Sequence, residues 1–373
     1  MRLWPALLCL CGTLLWASCG WAASISPGFK TLGVWLPEPQ IRLDINVWYP
    51  SVRRTSEVDY GYWVLNVARN GKAQEGQYPL LLLSHDSTGT RFSYHETAAY
   101  LAGLGFVVAA PTHVRDNMDN MPDLYTVRQL ELRVRELVGT LDVLLHDEEM
   151  RNRIDPTRVG VLGYGVGATA ALLLGGALLT PENWPSYCAN AAPGDVFCAP
   201  WARPRMEKMV QALPLPASLA DTRIKAVCAV APAYAMLFSK ESLRYVYPPV
   251  EIITPLKDAG VNAGWQGKSL RALLPKVPYY KELPDADALA LAACPRALRK
   301  QLPDFCGFST PSVRRAAMQT VNDTVGAFFL QFLGGAEPVP IIPDPPMLRP
   351  EQPESRVQEA PASAQNKPRR RRK

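Results

Sequence analysis

The sequence predicts an α/β protein built on a doubly wound, mainly parallel sheet. Short, continuously apolar runs such as residues 79–84 and 224–230 alternate along the chain with longer helical segments. Strands that are buried on both faces of a parallel sheet have this composition. Between them, residues 159–162 lead into a glycine-rich turn and then into an apolar helix that begins near Val166. A strand, a sharp turn and a helix in succession form the repeating unit of such a sheet.

The other elements are predicted from the same apolar periodicities, 2 for strands and 3.6 for helices. The predicted strands span residues 43–49, 62–68, 79–84, 106–111, 159–162, 224–230, 250–253 and 277–282. The predicted helices span residues 92–104, 124–149, the segment after Val166, 266–274 and 311–333. Residues 179–222 are Pro-rich and contain a pair of cysteines, so we predict that they form an insertion above the sheet.

The N-terminus differs in composition from the predicted domain at 28–335. Arg2 is followed by an apolar run that ends at Trp16 and then by small residues, which is typical of a signal peptide, here predicted as residues 1–23. An uncleaved anchor is the alternative, although the run is short for a bilayer. Cys19 follows a stretch that loosely resembles a lipoprotein box, so lipidation there stays open. We therefore expect an exported protein, periplasmic or extracellular.

The C-terminus also differs, because residues 336–373 are rich in Pro, Glu, Gln and Ala. Such a segment has too few apolar residues to offset its ordering entropy, so we predict disorder. Its last residues, from Lys367 to Lys373, carry six positive charges, and the whole chain has a net charge of +6. The rest of the chain is therefore nearly neutral, which argues against nucleic-acid binding. We expect the basic cluster to contact an anionic membrane or envelope surface, and a solubilising tail is the alternative.

The cysteines indicate an oxidising compartment. Three of the eight, Cys9, Cys11 and Cys19, lie in the targeting segment. Two close pairs in Pro-rich loops suit disulfides, namely Cys188 with Cys198 and Cys294 with Cys306. Cys228 lies in an apolar run and is predicted to be a buried thiol. No C-x-x-C or His-x-x-x-His spacing suggests a metal, and no cofactor is predicted.

The turn after residues 159–162 reads Gly163-Tyr-Gly-Val-Gly167. A nucleophile elbow has the motif G-x-S-x-G on a sharp strand-to-helix turn. Here both flanking glycines are present, and Gly165 stands where the serine would be. The central residue of an elbow is strained by about 1–3 kcal/mol unless it is glycine. The alternative is a phosphate-binding G-x-G-x-x-A loop at 163–168, which would need an early βαβ unit and an acidic residue on the next strand.

With these motifs, residues 28–335 resemble the secreted bacterial α/β-hydrolases known as predicted dienelactone hydrolases or platelet-activating-factor-acetylhydrolase-like esterases. The resemblance implies an α/β-hydrolase fold. It rests on Val47-Trp-Tyr-Pro50, residues 83–94, residues 105–111, the elbow, Val230-Ala-Pro232, and Cys294-Pro295 with Cys306.

The resemblance implies three catalytic positions: a serine at Gly165, an aspartate after a late strand at Asp258, and a histidine at Asp287. It also implies oxyanion donors in the residue after the nucleophile and in a His-Gly-x-x-Gly loop. In that loop His85 and Gly89 are kept, while Asp86 and Thr88 replace small residues. Two of the three catalytic positions, Gly165 and Asp287, thus lack the required residue. Asp258 has the required residue type, but an ordinary loop aspartate is an equally good interpretation of it.

The histidines support the same conclusion without the resemblance. All four, His85, His95, His113 and His146, precede the elbow, so the hydrolase order of nucleophile, acid and histidine cannot be met. Ser84 and Ser87 flank the oxyanion loop beside His85, but the resemblance makes His85 a structural residue that braces the loop.

We therefore predict a non-catalytic hydrolase-fold protein that binds a small-molecule or protein ligand at the former active site. The predicted ligand-contacting residues are His85, Asp86, Ser87, Tyr164 and Val166. Convergence of Asp258 and Asp287 would favour a cationic ligand, because paired carboxylates share a proton or attract a cation. The alternatives are an active ester or lipid hydrolase with non-standard residues, and an interaction protein that works through its basic tail.

Overall fold

The strands of the protein bring the predicted functional loops to one edge of a sheet. The computed structural model describes residues 25–334 except Pro39, Pro216, Ala259, Val277 and Phe308. The predicted signal peptide with Cys19, and the predicted disordered tail with its Lys367 to Lys373 cluster, lie outside the described residues. The described residues all belong to one unit, Met1–Ile341.

The described strands are β1 (Ser26–Leu36), β2 (Ile41–Ser51), β3 (Ser56–Tyr60), β4 (Trp63–Arg69), β5 (Tyr78–Ser84), β6 (Val107–Pro111), β7 (Ile154–Tyr164), β8 (Ile224–Val230), β9 (Val250–Pro255) and β10 (Tyr279–Leu283). They form one sheet in the order β10-β9-β8-β7-β5-β6-β2-β1-β4-β3. The strands from β6 to β10 in this order are parallel, and β2 joins β6 antiparallel. Because β5 lies between β6 and β7, the order in which successive strands are added to the sheet reverses at β5. Ligands bind at such a reversal in open α/β sheets.

The helices cover both faces of this sheet. They are α1 (His95–Gly103), α2 (Val127–His146), α3 (Val166–Leu174), α4 (Trp184–Ala189), α5 (Arg203–Gln211), α6 (Gly267–Leu273), α7 (Arg296–Gln301) and α8 (Pro311–Leu333). Side chains alternate along the strands, so Val159 and Val161 of β7 pack in the core beneath α2 and α3. Leu162 and Tyr164 pack in the core beneath α1 and α8. The sheet is therefore buried on both faces, as its apolar strands require.

The predicted fold class is confirmed: the sheet is mainly parallel and helices pack on both faces. The predicted strands and helices all form within a few residues of their predicted bounds. The strands β1 and β3 and the short helices α4, α5 and α7 were not predicted. β1 carries Gly28 and Gly33, and β3 is largely exposed, so neither shows the apolar pattern that identifies a strand.

Both predicted disulfides are confirmed. Cys188 and Cys198 are bonded with their Cα atoms 5.6 Å apart, and Cys294 and Cys306 with theirs 5.5 Å apart. Cys228 is a buried free thiol. Disulfides of this kind are typical of exported proteins. Among the described helices, none is long and apolar enough to cross a bilayer.

We expect the first disulfide to stabilise the insertion that contains α4 and α5. Replacing both partners, Cys188→Ser with Cys198→Ser, should lower the free energy of unfolding by up to about 3 kcal/mol, because the closed loop is short. Urea unfolding followed by circular dichroism measures this loss. The Cys294–Cys306 bond, checked by non-reducing peptide mapping, should remain intact. An unchanged unfolding midpoint would contradict the expectation.

Candidate functional site

The turn between β7 and α3 has the backbone of a nucleophile elbow. Gly165 has φ 56° and ψ −118°, a region that other residues adopt at a cost of about 1–3 kcal/mol. Its N–H donates to the Val230 carbonyl at 3.0 Å, and its carbonyl accepts from the Ala233 N–H at 3.1 Å. These bonds hold the turn against the segment that follows β8. The protein thus keeps the elbow conformation without the hydroxyl that an enzyme presents there.

The two flanking glycines are required by close backbone contacts. A Cβ atom on Gly163 would lie 2.1 Å from the carbonyl oxygen of Gly167. A Cβ atom on Gly167 would lie 2.2 Å from the carbonyl oxygen of Ser84 at the end of β5. Both positions therefore need glycine to bring β7, α3 and β5 together, whether or not a nucleophile lies between them.

The Asp86 side chain occupies the place of the missing serine. β5 and β7 are parallel neighbours with Ser84 opposite Gly163, so the loop after β5 lies beside the elbow. A Cβ atom built on Gly165 would lie 1.9 Å from Asp86 Oδ1 and 2.0 Å from its Cγ. No residue larger than glycine fits at position 165 while Asp86 keeps this conformation.

Asp86 also occupies the two backbone donors of an oxyanion hole. Its Oδ1 accepts hydrogen bonds from the Val166 N–H at 2.9 Å and from the Ser87 N–H at 2.8 Å. In α/β-hydrolases the residue after the nucleophile and the loop after an earlier strand donate these bonds to the transition-state oxyanion. A carboxylate of the protein itself therefore lies where the charge of an ester intermediate would develop.

The environment of Asp86 raises its pKa to about 6, mainly because the carboxyl group is buried. The Val166 N–H, the Arg133 guanidinium and the Ser87 N–H each lower the pKa, and they only partly offset the burial. Above about pH 6 the group is therefore a carboxylate, which suits two N–H donors that point at it.

His85 braces the loop that carries Asp86 and takes no chemical role. Its Nδ1–H donates to the Asp86 carbonyl at 2.6 Å, and its Nε2 accepts from the His113 N–H at 3.0 Å. Arg133 donates to the His85 carbonyl. Burial, followed by the nearby Arg133 charge, lowers the His85 pKa to about 3. The ring is therefore neutral at physiological pH.

A buried ion pair holds the same loop from α2. Arg133 Nε donates to Asp116 Oδ2 at 2.6 Å, and the two side chains are 0% and 2% exposed. Asp116 also accepts from the Ser87 hydroxyl at 2.9 Å and from Gln129 Nε2 at 2.8 Å. A sequence signal for this network exists. Polar residues 129, 133, 136 and 140 recur at helical spacing on the buried face of α2.

Ser84, His113 and Glu136 form an arrangement with the connectivity of a catalytic triad, which the sequence analysis did not identify. Ser84 Oγ lies 2.8 Å from His113 Nε2, and His113 Nδ1 lies 2.5 Å from Glu136 Oε2. All three residues are 0% exposed. Burial lowers the His113 pKa and raises the Glu136 pKa, so both shifts favour the neutral forms of the two side chains. The trio connects β5 to α2 in the interior.

Asp287, at the position of the catalytic histidine, serves as a structural cap. Its Oδ1 accepts from the Ala290 N–H at 2.8 Å, and its Oδ2 accepts from the Ser309 hydroxyl at 2.7 Å. The residue is 8% exposed. Both oxygens therefore hold the disulfide-bearing segment in place, and Asp287 cannot replace an imidazole base.

Asp258, at the position of the catalytic acid, follows β9 and belongs to the same site. Burial is the largest cause that raises its pKa to about 6, and the charges of Asp86 and Asp287 raise it further. The N–H groups of Gly260 and Ala288 act in the opposite direction. The predicted acid and histidine positions thus carry two carboxyl groups, and Asp258 interacts electrostatically with Asp287 and with Asp86.

Little space remains above Asp86. The cavity that Asp86 and Ser87 line has a volume of about 30 Å³, enough for one or two water molecules. One wall is formed by Leu289 together with Leu298 and Phe305, which belong to the segment closed by the second disulfide. A cavity of about 530 Å³ lies beside Asp258. Another, of about 660 Å³, lies at the opposite edge of the sheet, near the start of β8, and contacts none of the predicted site residues.

Of the predicted ligand-contacting residues His85, Asp86, Ser87, Tyr164 and Val166, three have little access to solvent. His85, Tyr164 and Val166 are 0%, 1% and 4% exposed. Tyr164 is buried because the alternation of β7 directs it into the core, where its ring stacks on Tyr94 with centroids 3.6 Å apart. Only Asp86 and Ser87 line a cavity, and that cavity is too small for a metabolite.

Comparison with known proteins agrees with this geometry. Among solved structures, ferulic acid esterase from Streptomyces cinnamoneus is similar with a TM-score of 0.58 and 15% sequence identity, over 88% of this chain and 95% of the esterase. This likeness concerns the fold. Dienelactone hydrolase from Anabaena variabilis aligns with a TM-score of 0.47 and 17% identity, over 83% of this chain and 99% of the hydrolase. The likeness to the esterase, together with the sheet order, shows that the protein has the α/β-hydrolase fold.

A family model matches the segment that carries β1 to β6 and the Asp86 loop. Residues 29–129 match the model described as platelet-activating factor acetylhydrolase, isoform II. This match spans less than half of the chain, so it makes that segment similar to the family.

We expect the elbow glycines to be essential for folding although the nucleophile is gone. Gly163→Ala should lower the free energy of unfolding by at least about 2 kcal/mol, because the new methyl group meets backbone atoms that cannot move aside. Gly103→Ala, at the end of α1 with no atom within 4 Å of the added Cβ, is the matched control and should be neutral or slightly stabilising. Equal effects of the two substitutions on the urea midpoint would contradict this.

We expect Asp86 to make stability depend on pH. Its pKa is raised from 3.8 to about 6, so the folded state holds a proton that the unfolded chain has released. This contribution to stability is present below pH 4 and is lost as the pH rises to about 6. Asp86→Asn keeps the shape and removes the titration, so its stability relative to wild type should increase across this range. Parallel curves of unfolding free energy against pH for the two proteins would exclude this role.

Proposed function

We propose that this protein is an exported, non-catalytic α/β-hydrolase-fold protein whose former active site is closed by Asp86. The proposal rests above all on one observation: the Asp86 carboxylate lies 1.9 Å from where the Cβ atom of a nucleophile would stand. The same carboxylate accepts hydrogen bonds from both oxyanion donors. Nucleophile and oxyanion hole are therefore lost through one side chain.

Ester hydrolysis in this fold needs a nucleophile, a base that activates it, and free donors for the oxyanion. Gly165 has no side chain. Asp287 stands where the base belongs and uses both oxygens to cap the segment after β10. The substrate carbonyl would have to displace Asp86 from Val166 and Ser87. Loss of a single member of such a unit already reduces turnover by a factor on the order of 10⁶.

An active hydrolase that uses Ser84 is the second candidate, because the Ser84–His113–Glu136 distances match those of a triad. Its weakness is access. The three residues are fully buried, and none of them lines the described cavities near this edge of the sheet. An ester would need local unfolding of β5 and α2 to reach Ser84 Oγ, so we favour the non-catalytic function.

Labelling with a fluorophosphonate probe tests the proposal. The wild-type protein should show no labelling and negligible turnover of short-chain esters. Gly165→Ser alone should also stay unlabelled, because its side chain collides with Asp86. Gly165→Ser combined with Asp86→Gly and Asp287→His frees the donors and supplies a base beside Asp258, and this triple variant should become labelled. Gly165→Ser with Asp287→His, which keeps Asp86, is the matched control and should remain unlabelled.

The second candidate predicts a different outcome. Robust wild-type ester turnover that Ser84→Ala abolishes, in a variant with an unchanged circular dichroism spectrum, would overturn the non-catalytic function. Wild-type turnover that survives Ser84→Ala would overturn both candidates.

A further inference from the structure

The usable space at the functional edge of the sheet lies beside Asp258 and not above Asp86. The cavity of about 530 Å³ is bounded by the segment that follows β9 and by the disulfide-bearing insertion. The Val196 N–H donates to the Gly260 carbonyl at 3.0 Å, which joins these two walls. A volume of this size is typical of small-molecule sites. The cavity beside Asp258 is therefore large enough for a ligand that the space above Asp86 cannot hold.

A second, smaller compartment adjoins this cavity. It has a volume of about 20 Å³ and shares Asp258, Val261 and Ala263 with the larger one. About 10–15 Å³ suffices for one water molecule, so the small compartment has room for a single group of that size. The two spaces together suit a molecule with a compact polar head and a larger body.

The compartments carry negative charge without a matching cation. In the described part of the chain, neither Asp258 nor Asp86 lies within salt-bridge distance of a basic side chain. Lys268, at the rim of the larger cavity, pairs with Glu282 at 3.4 Å. Asp258 is half-buried, and a carboxylate without a basic partner attracts a cation, so the ligand is expected to supply the positive charge.

An unsatisfied hydroxyl in the small compartment points to the same ligand. Thr254, at the end of β9, is 1% exposed, and its Oγ1 has no hydrogen-bond partner of acceptable geometry among the described residues. The neighbouring Tyr280 hydroxyl donates to Glu282 at 3.1 Å. Gln266 is also engaged, since its Oε1 accepts from the Ala235 N–H at 3.0 Å. Thr254 Oγ1 is thus available to a ligand, and it lies in the same compartment as the Asp258 carboxylate, whose protein partners are the Gly260 and Ala288 N–H groups and not a basic side chain.

We propose that this double cavity binds a small molecule with a primary ammonium group, the ammonium in the small compartment against Asp258 and Thr254 Oγ1. The body of the molecule lies in the larger cavity. The inference deepens the proposed function and rests on it, because Asp86 closes the former active site and leaves Asp258 free of a catalytic histidine. A metal ion is a poorer occupant, since no cluster of three or more potential metal ligands exists among the described residues.

Calorimetric titration with tyramine tests the site, with tyrosol, which carries a hydroxyl in place of the ammonium, as the neutral analogue. We expect tyramine to bind at least tenfold more tightly than tyrosol, as a charge-assisted hydrogen bond of about 1.5–3 kcal/mol implies. N,N,N-Trimethyltyramine should bind no better than tyrosol, because its head exceeds the small compartment. Absence of tyramine binding at millimolar concentrations, or equal affinities for the three compounds, would overturn the inference.

Two variants locate the interaction. Asp258→Asn should weaken tyramine binding at least tenfold, and Thr254→Val should weaken it by a smaller factor. Asp285→Asn removes the same charge from an exposed position two residues from Asp287 and should leave binding unchanged. Tyramine binding that survives Asp258→Asn would place the amine elsewhere and overturn the inference. Fluorophosphonate labelling of the same wild-type sample decides the proposed function separately, because labelling and amine binding are independent measurements.

Discussion

The structure depends on the hydrogen bonds from the Val166 and Ser87 N–H groups to the Asp86 carboxylate. In a hydrolase these donors stay free in the resting enzyme and meet a negative oxygen only in the transition state. In this protein both donors are permanently bonded to an oxygen of the Asp86 carboxylate. Two converging N–H dipoles favour an anion at this point. An aspartate from the neighbouring loop satisfies that preference, although burial of its carboxyl group raises the pKa of Asp86 and offsets part of the gain.

The surroundings of Asp86 follow from this arrangement. A buried carboxylate needs a firmly positioned loop, and the loop is held by His85 from within and by Arg133 of α2 from below. Arg133 in turn is neutralised by Asp116. Breaking such a buried pair by removing one partner is costly, so the position of the loop depends on both Arg133 and Asp116. The Ser84–His113–Glu136 trio belongs to the same interior support, which explains why triad-like distances occur there without access to solvent.

Closure of one half of the former active site changes the chemistry of the other half. In an active hydrolase the acid would be paired with a histidine. Asp258 instead faces two further carboxyl groups, Asp86 and Asp287, and their charges raise its pKa. Of these, Asp86 has the two oxyanion donors, and Asp287 has Ala290 and Ser309. Asp258 interacts with the Gly260 and Ala288 N–H groups and also adjoins open space, so this edge of the sheet carries an acidic cavity.

The sequence by itself determined the fold class, the elbow without its serine, and both disulfides, because each depends on local patterns: apolar runs, glycine spacing and cysteine pairs. Its resemblance to known hydrolases also led to the prediction that Gly165, Asp258 and Asp287 stand at the three positions of a triad. Only the tertiary structure decided that Asp86 fills the place of the serine, since that contact joins residues on two strands that are far apart in the chain and adjacent in the sheet. The tertiary structure also decided that His85 and Tyr164 are buried and that a cavity lies beside Asp258. Burial and cavity volume depend on how several segments pack together, and no single segment encodes them.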